Sequence, residues 1–209
     1  MNNPQSLFDQ SFAACPLVAI LRGLTPNEAP AIGEALVEVG FTLIEVPLNS
    51  PDPLRSIALL AEQLRGRAMI GAGTVLSPEQ VEAVAQAGGT LIVSPNTDPA
   101  VIRATVARDL ISLPGYYTPS EGFAALAAGA SALKLFPADG ATPAFLKAQR
   151  AVLPRDTRVL AVGGITPDNM AVWRAAGADG FGLGSSLYRP GKAAEDVARD
   201  AAAFVAALS

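Results

Sequence analysis

The 209-residue chain contains no histidine, one cysteine, three lysines and no long uninterrupted apolar run. Each shortage removes a class of chemistry. Without histidine there is no Ser-His-Asp or Cys-His nucleophile pair, no imidazole general base and no histidine metal ligand. Acid and base work must fall to carboxylates, lysine, tyrosine or water. Cys15 stands alone, so no internal disulfide and no CxxC pair for zinc or iron-sulfur is available, which suits a reducing, cytoplasmic setting. The opening MNNPQSLFDQSFAAC lacks the basic and apolar regions of a secretory leader. No later apolar run reaches the roughly 18 residues of a membrane span, so a soluble protein is expected. Fifteen basic against nineteen acidic side chains give a net charge of −4, which argues against nucleic acid as a partner.

What is present is a regular alternation. Short apolar runs are each followed by Ser, Thr or Asp, usually then Pro, and by a longer amphipathic stretch, the pattern of strand followed by helix. Thr25-Pro26, Asp52-Pro53, Ser77-Pro78, Asp98-Pro99, Thr118-Pro119, Thr142-Pro143 and Thr166-Pro167 all read as N-cap followed by proline at the first helical position. Glu28 and Glu121, three residues after their caps, would complete capping boxes. Gly40, Gly88, Gly129 and Gly177 stand where helices should stop. Between these signals lie eight predicted strands, at 17–23, 41–48, 69–75, 91–96, 111–117, 132–137, 158–164 and 180–184, with a last helix over 194–207. Eight such units without a linker predict an α/β fold, a single (β/α)8 TIM barrel occupying 1–209 with a short N-terminal helical extension. An open doubly wound sheet is the rival. It often carries a GxGxxG turn after its first strand, where this chain has Leu21-Arg22-Gly23-Leu24.

In a barrel, alternate strand residues face the interior. In Ala132-Leu133-Lys134-Leu135-Phe136 the leucines would face the helices, turning Lys134 inward. Burial favours the neutral amine, which can attack a carbonyl and form a Schiff base. An ordinary lysine reaching water or a carboxylate is the alternative. Lys147 and Lys192 fall in helix or loop context. Glu45, in Phe41-Thr42-Leu43-Ile44-Glu45-Val46-Pro47, is a carboxylate within a strand core, either a general acid/base tuned by burial or a counter-ion for Lys134 or Arg22. Arg22 and Thr74 end the first and third strands, and could clamp a substrate carboxylate or serve as satisfied structural groups. Glycine-rich Val162-Gly163-Gly164 and Gly182-Leu183-Gly184-Ser185 follow the last two strands, where barrels commonly hold phosphate on backbone N–H groups.

Together Leu21-Arg22-Gly23, Glu45-Val46-Pro47-Leu48-Asn49-Ser50, Gly71-Ala72-Gly73-Thr74-Val75, Ser94-Pro95-Asn96, Lys134-Leu135-Phe136-Pro137, Val162-Gly163-Gly164 and Gly182-Leu183-Gly184-Ser185 resemble the class I aldolases of 2-keto-3-deoxy-6-phospho sugar acids. The resemblance spans residues 16–207. It implies a homotrimeric barrel that cleaves its substrate to pyruvate and glyceraldehyde 3-phosphate without metal or organic cofactor. Lys134 would be the Schiff-base lysine and Glu45 the proton shuttle. Arg22 and Thr74 would hold the carboxylate, Pro95, Phe136 and Val162 would contact substrate, and Gly163, Gly164, Gly184 and Ser185 would hold the phosphate. Asn49 and Val162 resemble the 6-phosphogalactonate branch; the 6-phosphogluconate branch usually carries arginine and threonine there. Tyr116-Tyr117 departs from the expected small residue and leaves the shape of the aldehyde side of the pocket open. A related phosphate-binding barrel running an isomerase or synthase reaction, with Lys134 charged, and a sugar-phosphate sensor are the competing readings.

Overall fold

The computed structural model describes residues 3–208. Its strands are β1 Leu17–Ile20, β2 Leu43–Pro47, β3 Met69–Gly73, β4 Leu91–Val93, β5 Ile111–Leu113, β6 Gly115–Tyr116, β7 Leu133–Leu135, β8 Val159–Val162 and β9 Gly180–Leu183. They are parallel and lie in the order β5-β4-β3-β2-β1-β9-β8-β7-β6. The two ends of that order, β5 and β6, are neighbours in the chain, parted by Pro114 alone. They are the halves of one predicted strand, interrupted because proline brings no N–H to the ladder. The Leu113 carbonyl accepts from Ser94 N–H at 3.2 Å and the Pro114 carbonyl accepts from Lys134 N–H at 2.9 Å, so the segment bridges both edges and brings the sheet round into a barrel.

Around it pack α1 Pro4–Ala14, α2 Ala29–Glu38, α3 Pro53–Gln63, α4 Pro78–Gln86, α5 Pro99–Val106, α6 Pro119–Ala127, α7 Pro143–Arg150, α8 Pro167–Ala175 and α9 Ala194–Ala206. Four of the seven expected caps form as read: the side-chain oxygens of Ser77, Asp98, Thr118 and Thr142 accept first-turn N–H groups. The Thr118–Glu121 box is complete in both directions. Three positions differ. Asp52 adopts a left-handed backbone (φ 42°) in place of the extended one usual for a cap, and its side chain makes no cap hydrogen bond. The first helix after β1 begins at Ala29 instead of Pro26, and the Thr25 hydroxyl donates to Glu28 instead of accepting from it, so that box is only half made. At α8 the return bond comes from Asn169, whose Oδ1 accepts Thr166 N–H at 3.0 Å. Gly40, Gly88, Gly129 and Gly177 end their helices with φ between 86° and 104°.

Strand alternation sorts the apolar residues into two layers. Leu17, Ala19, Ile44, Val46, Leu133, Leu135, Phe181 and Leu183 face the helices. Val18, Ile20, Leu43, Met69, Leu91, Leu113, Leu160 and Val162 fill the interior. The interior cluster continues into Phe8 and Phe12 of α1, so this helix lies across the amino-terminal end of the barrel as its floor. Arg158 locks it there: its guanidinium stacks over both rings, at 5.5 and 5.2 Å, and donates to the Asp9 carboxylate at 2.5 Å. None of the helices described is long and apolar enough to cross a membrane.

Candidate active site

Alternation decides where the polar strand residues point. β7 places Leu133 and Leu135 outward, so Lys134 between them enters the barrel. β2 does the same for Glu45 between Ile44 and Val46. Both are buried, 8 % and 2 % exposed, and both border a narrow space among Val18, Leu113 and Leu160 in the heart of the barrel. Room for them comes from the neighbouring strand. A Cβ on Gly73 would stand 1.8 Å from Glu45 Oε2, so only glycine leaves the carboxylate its place.

Burial dominates the electrostatics. It pushes the Glu45 carboxyl up to about 7, against the pull of the Lys134 and Arg22 charges. Burial likewise lowers the Lys134 ammonium from its usual range, helped by the Arg22 charge and opposed by Glu45. Glu45 Oε2 has no hydrogen-bond partner among the described residues, unusual for a buried polar atom and suited to a group that exchanges protons with a ligand. Lys134 Nζ is 4.8 Å from the centroid of the Phe136 ring, which stands beside it on the inner face.

Above this pair opens a cavity of about 610 Å³ at the carboxyl ends of the strands. Its wall brings together Arg22, Lys134, Phe136 and Val162 with the glycine loops carrying Gly163, Gly164, Gly184 and Ser185. Gly163 and Gly164 both have positive φ, 115° and 66°, which turns the chain sharply between β8 and α8. After β9 no helix begins at once: Gly184 opens a turn, its carbonyl accepting from Leu187 and Tyr188 N–H, and α9 starts ten residues later. Arg22 is braced by the loop after β2. Its Nη1 donates to Asn49 Oδ1 at 2.8 Å, and the next residue, Gly23, donates its N–H to Ser50 Oγ at 2.9 Å.

Two expected contacts lie off this wall. Thr74 follows Gly73 with φ 57°, half-buried at the end of β3, and Pro95 is half-buried after β4. Neither borders the cavity. The tyrosine pair has a plain explanation. Tyr116 falls on the outward face of β6 and is buried among the helices, while Tyr117 packs on Phe145 and donates its hydroxyl to the Gly140 carbonyl at 2.6 Å. The inward position of that strand is Gly115, so neither tyrosine narrows the cavity. Sequence reasoning missed Tyr188 and Arg189, which also form the wall. The available signal was an arginine four residues beyond Ser185 in a glycine-rich loop.

Because Gly73 makes room for the Glu45 carboxylate, Gly73→Ala is expected to displace it and lower kcat about 100-fold, with a smaller change in KM. Unchanged kcat in a steady-state assay would show that the carboxylate's position is immaterial.

Among the described residues no three His, Cys, Asp or Glu side chains gather as a metal-holding cluster. The arrangement offers a desolvated amine, an adjacent carboxyl near neutrality, a guanidinium at the rim and two glycine loops opposite. That combination suits attack on a ketone whose other end carries an anion. The chain is similar to known aldolases. A 2-dehydro-3-deoxy-6-phosphogalactonate aldolase of Escherichia coli (strain K12) is 52% identical over 92% of this chain and 94% of its own length. A probable 2-dehydro-3-deoxy-6-phosphogalactonate aldolase of Rhizobium meliloti (strain 1021) is 53% identical over 92% of this chain and 91% of its own. A solved structure described as native KDPGal superposes with a TM-score of 0.91 at 51% identity, covering 92% of this chain and 94% of that one. The family model for KDPG and KHG aldolase matches residues 8–201, and with the whole barrel thus accounted for, the chain belongs to the KDPG and KHG aldolase family.

Proposed function

We propose that this chain is a class I aldolase that cleaves 2-dehydro-3-deoxy-6-phosphogalactonate to pyruvate and D-glyceraldehyde 3-phosphate. The observation that carries this is Lys134, an amine held in the barrel interior beside Glu45 at the base of the cavity. The neutral amine attacks the C2 ketone. Loss of water, with a proton supplied by Glu45 directly or through a water, gives the iminium. Glu45 then takes the C4 hydroxyl proton; the C3–C4 electron pair moves toward the iminium, leaving an enamine and releasing the aldehyde. Protonation at C3 and hydrolysis free pyruvate and restore the amine. No metal or organic cofactor enters these steps.

Arg22 is assigned to the substrate carboxylate, with Phe136 and Val162 beside the reacting carbons. Gly163, Gly164, Gly184 and Ser185 are assigned to the phosphate. Support for the galactonate epimer comes from Asn49, which accepts a hydrogen bond from Arg22, a contact that arginine at this position could not make. The names of the two relatives above point the same way. A cytoplasmic homotrimer completes the proposal. It rests on the resemblance, on the buried lone thiol of Cys15 and on large apolar side chains left exposed at Leu76, Phe123 and Val172.

The test is a rate comparison of the galactonate and gluconate 6-phosphates, monitored by pyruvate release. At least a tenfold advantage in kcat/KM for the galactonate epimer is expected, about 1.4 kcal/mol of discrimination at one hydroxyl. Preference for the gluconate epimer would overturn the assignment.

A further inference from the structure

On the proposed function the substrate ends in a phosphate monoester, and we propose that Arg189 is the cation that holds it and selects for phosphorylated substrates. The inference rests on that reading and adds to it a residue outside the glycine loops. A phosphate monoester carries between one and two negative charges near neutral pH. Backbone N–H groups and the Ser185 hydroxyl offer only partial charges. The surroundings are not otherwise favourable: an Asp139 carboxylate oxygen lies 3.0 Å from where a Cβ on Gly163 would stand.

Three cationic side chains border the cavity: Arg22, Lys134 and Arg189. Lys134 serves as the neutral nucleophile. Arg22 is drawn to Asn49 and stands on the β1 side, where the substrate carboxylate is assigned. Arg189 is what remains, on the same loop as Gly184 and Ser185. Its Nε donates to the Ser185 carbonyl at 3.0 Å, fixing the guanidinium against that loop. Neither terminal nitrogen meets an acceptor or a carboxylate among the described residues, so the paired donors that suit a phosphate are unspent.

The backbone that carries Arg189 is held on both sides. Tyr188 is buried and donates its N–H to the Gly184 carbonyl at 2.9 Å. Pro190 packs against Gly23, whose Cβ would stand 2.6 Å from Pro190 Cγ. Gly191 N–H donates to the Glu28 carboxylate at 3.1 Å, and the same carboxylate accepts Thr25 N–H at 3.0 Å. The loops after β1 and β9 are thereby tied together, and an otherwise mobile arginine is mounted on a braced segment.

The experiment compares the wild-type enzyme with R189A and R189K in three measurements. These are KM for the phosphorylated substrate, the inhibition constant of inorganic phosphate, and exchange of the pyruvate methyl protons with deuterated water, which engages Lys134 and Glu45 without a phosphate. In R189A, KM and the phosphate inhibition constant are expected to rise about 10- to 100-fold, with a loss of exchange at least tenfold smaller. R189K should recover part of the loss, restoring charge without the paired donors. Values for R189A within about twofold of wild type overturn the proposal, as does a loss of exchange equal to the loss of phosphate affinity. Absence of exchange in the wild-type enzyme would instead overturn the aldolase reading, and the phosphate constants would still decide the role of Arg189.

Discussion

Lys134→Met is expected to reduce pyruvate release by about 10⁴-fold or more, since no other amine can supply the electron sink. Lys147 lies in the last turn of α7, and Lys192 is engaged with the Leu187 carbonyl at 2.5 Å and with Asp200. Only Lys134 stands in the barrel interior. Methionine keeps most of the lysine's length and removes a group that is costly to desolvate, so the variant is expected to fold. The accompanying observation is chemical. Borohydride added with pyruvate should leave a stable adduct on Lys134 in the wild-type chain and none in the variant. Substantial turnover by the methionine variant, or modification of Lys147 or Lys192 instead, would remove the imine from the mechanism.

Glu45→Gln is the second large effect, a loss in kcat of about 10² to 10⁴, the range of a general acid/base. Its pH signature separates it from simple damage. Burial raises the folded-state value to about 7, so the proton is retained well above the usual carboxylate range and the base form prevails only above about pH 7. Activity limited by proton removal should therefore climb as pH rises through about 7 and flatten above it. In the glutamine variant that limb should vanish, while borohydride trapping on Lys134 persists at a reduced rate, since the amine remains but the proton for loss of water must come from solvent. A glutamine variant that kept both the rate and the limb would reduce Glu45 to a counter-ion. The sign for stability is opposite to the usual acidic residue. Since folding raises this pKa, the contribution from Glu45 is full below about 4.5, the ordinary value, and is lost as pH rises through about 7.

Most of the barrel was legible because its punctuation is local. A serine, threonine or aspartate before proline satisfies a helix start with atoms two or three residues away, so Ser77, Asp98, Thr118 and Thr142 could be read without knowing their surroundings. Where the outcome depended on distant partners the reading failed. Thr25 makes no cap because its hydroxyl donates to Glu28, a carboxylate whose other oxygen is held by Gly191, 163 residues away. The inward turn of Lys134 and Glu45 followed from a two-residue period, which any strand imposes. The same rule applied to the fifth strand would have placed Tyr116 among the helices, but Pro114 broke that strand and obscured its phase. Asn49 was noticed by resemblance, yet its bond to Arg22 crosses 27 positions and could not be seen in the sequence. Arg189 was missed for a different reason: an arginine in a loop is commonplace until the cavity wall is known.

The α1 helix has a kinetic consequence. Among the described residues, Phe8 and Phe12 fill the amino-terminal end of the barrel and the cavity above Lys134 is walled by the glycine loops, so the route to it runs past those loops. On the proposed chemistry the fragment bonded to Lys134 occupies the deep end and the phosphorylated fragment the shallow one. The order of traffic is then a queue with a single door: the aldehyde must depart before pyruvate can, and in the condensing direction pyruvate must be aboard first.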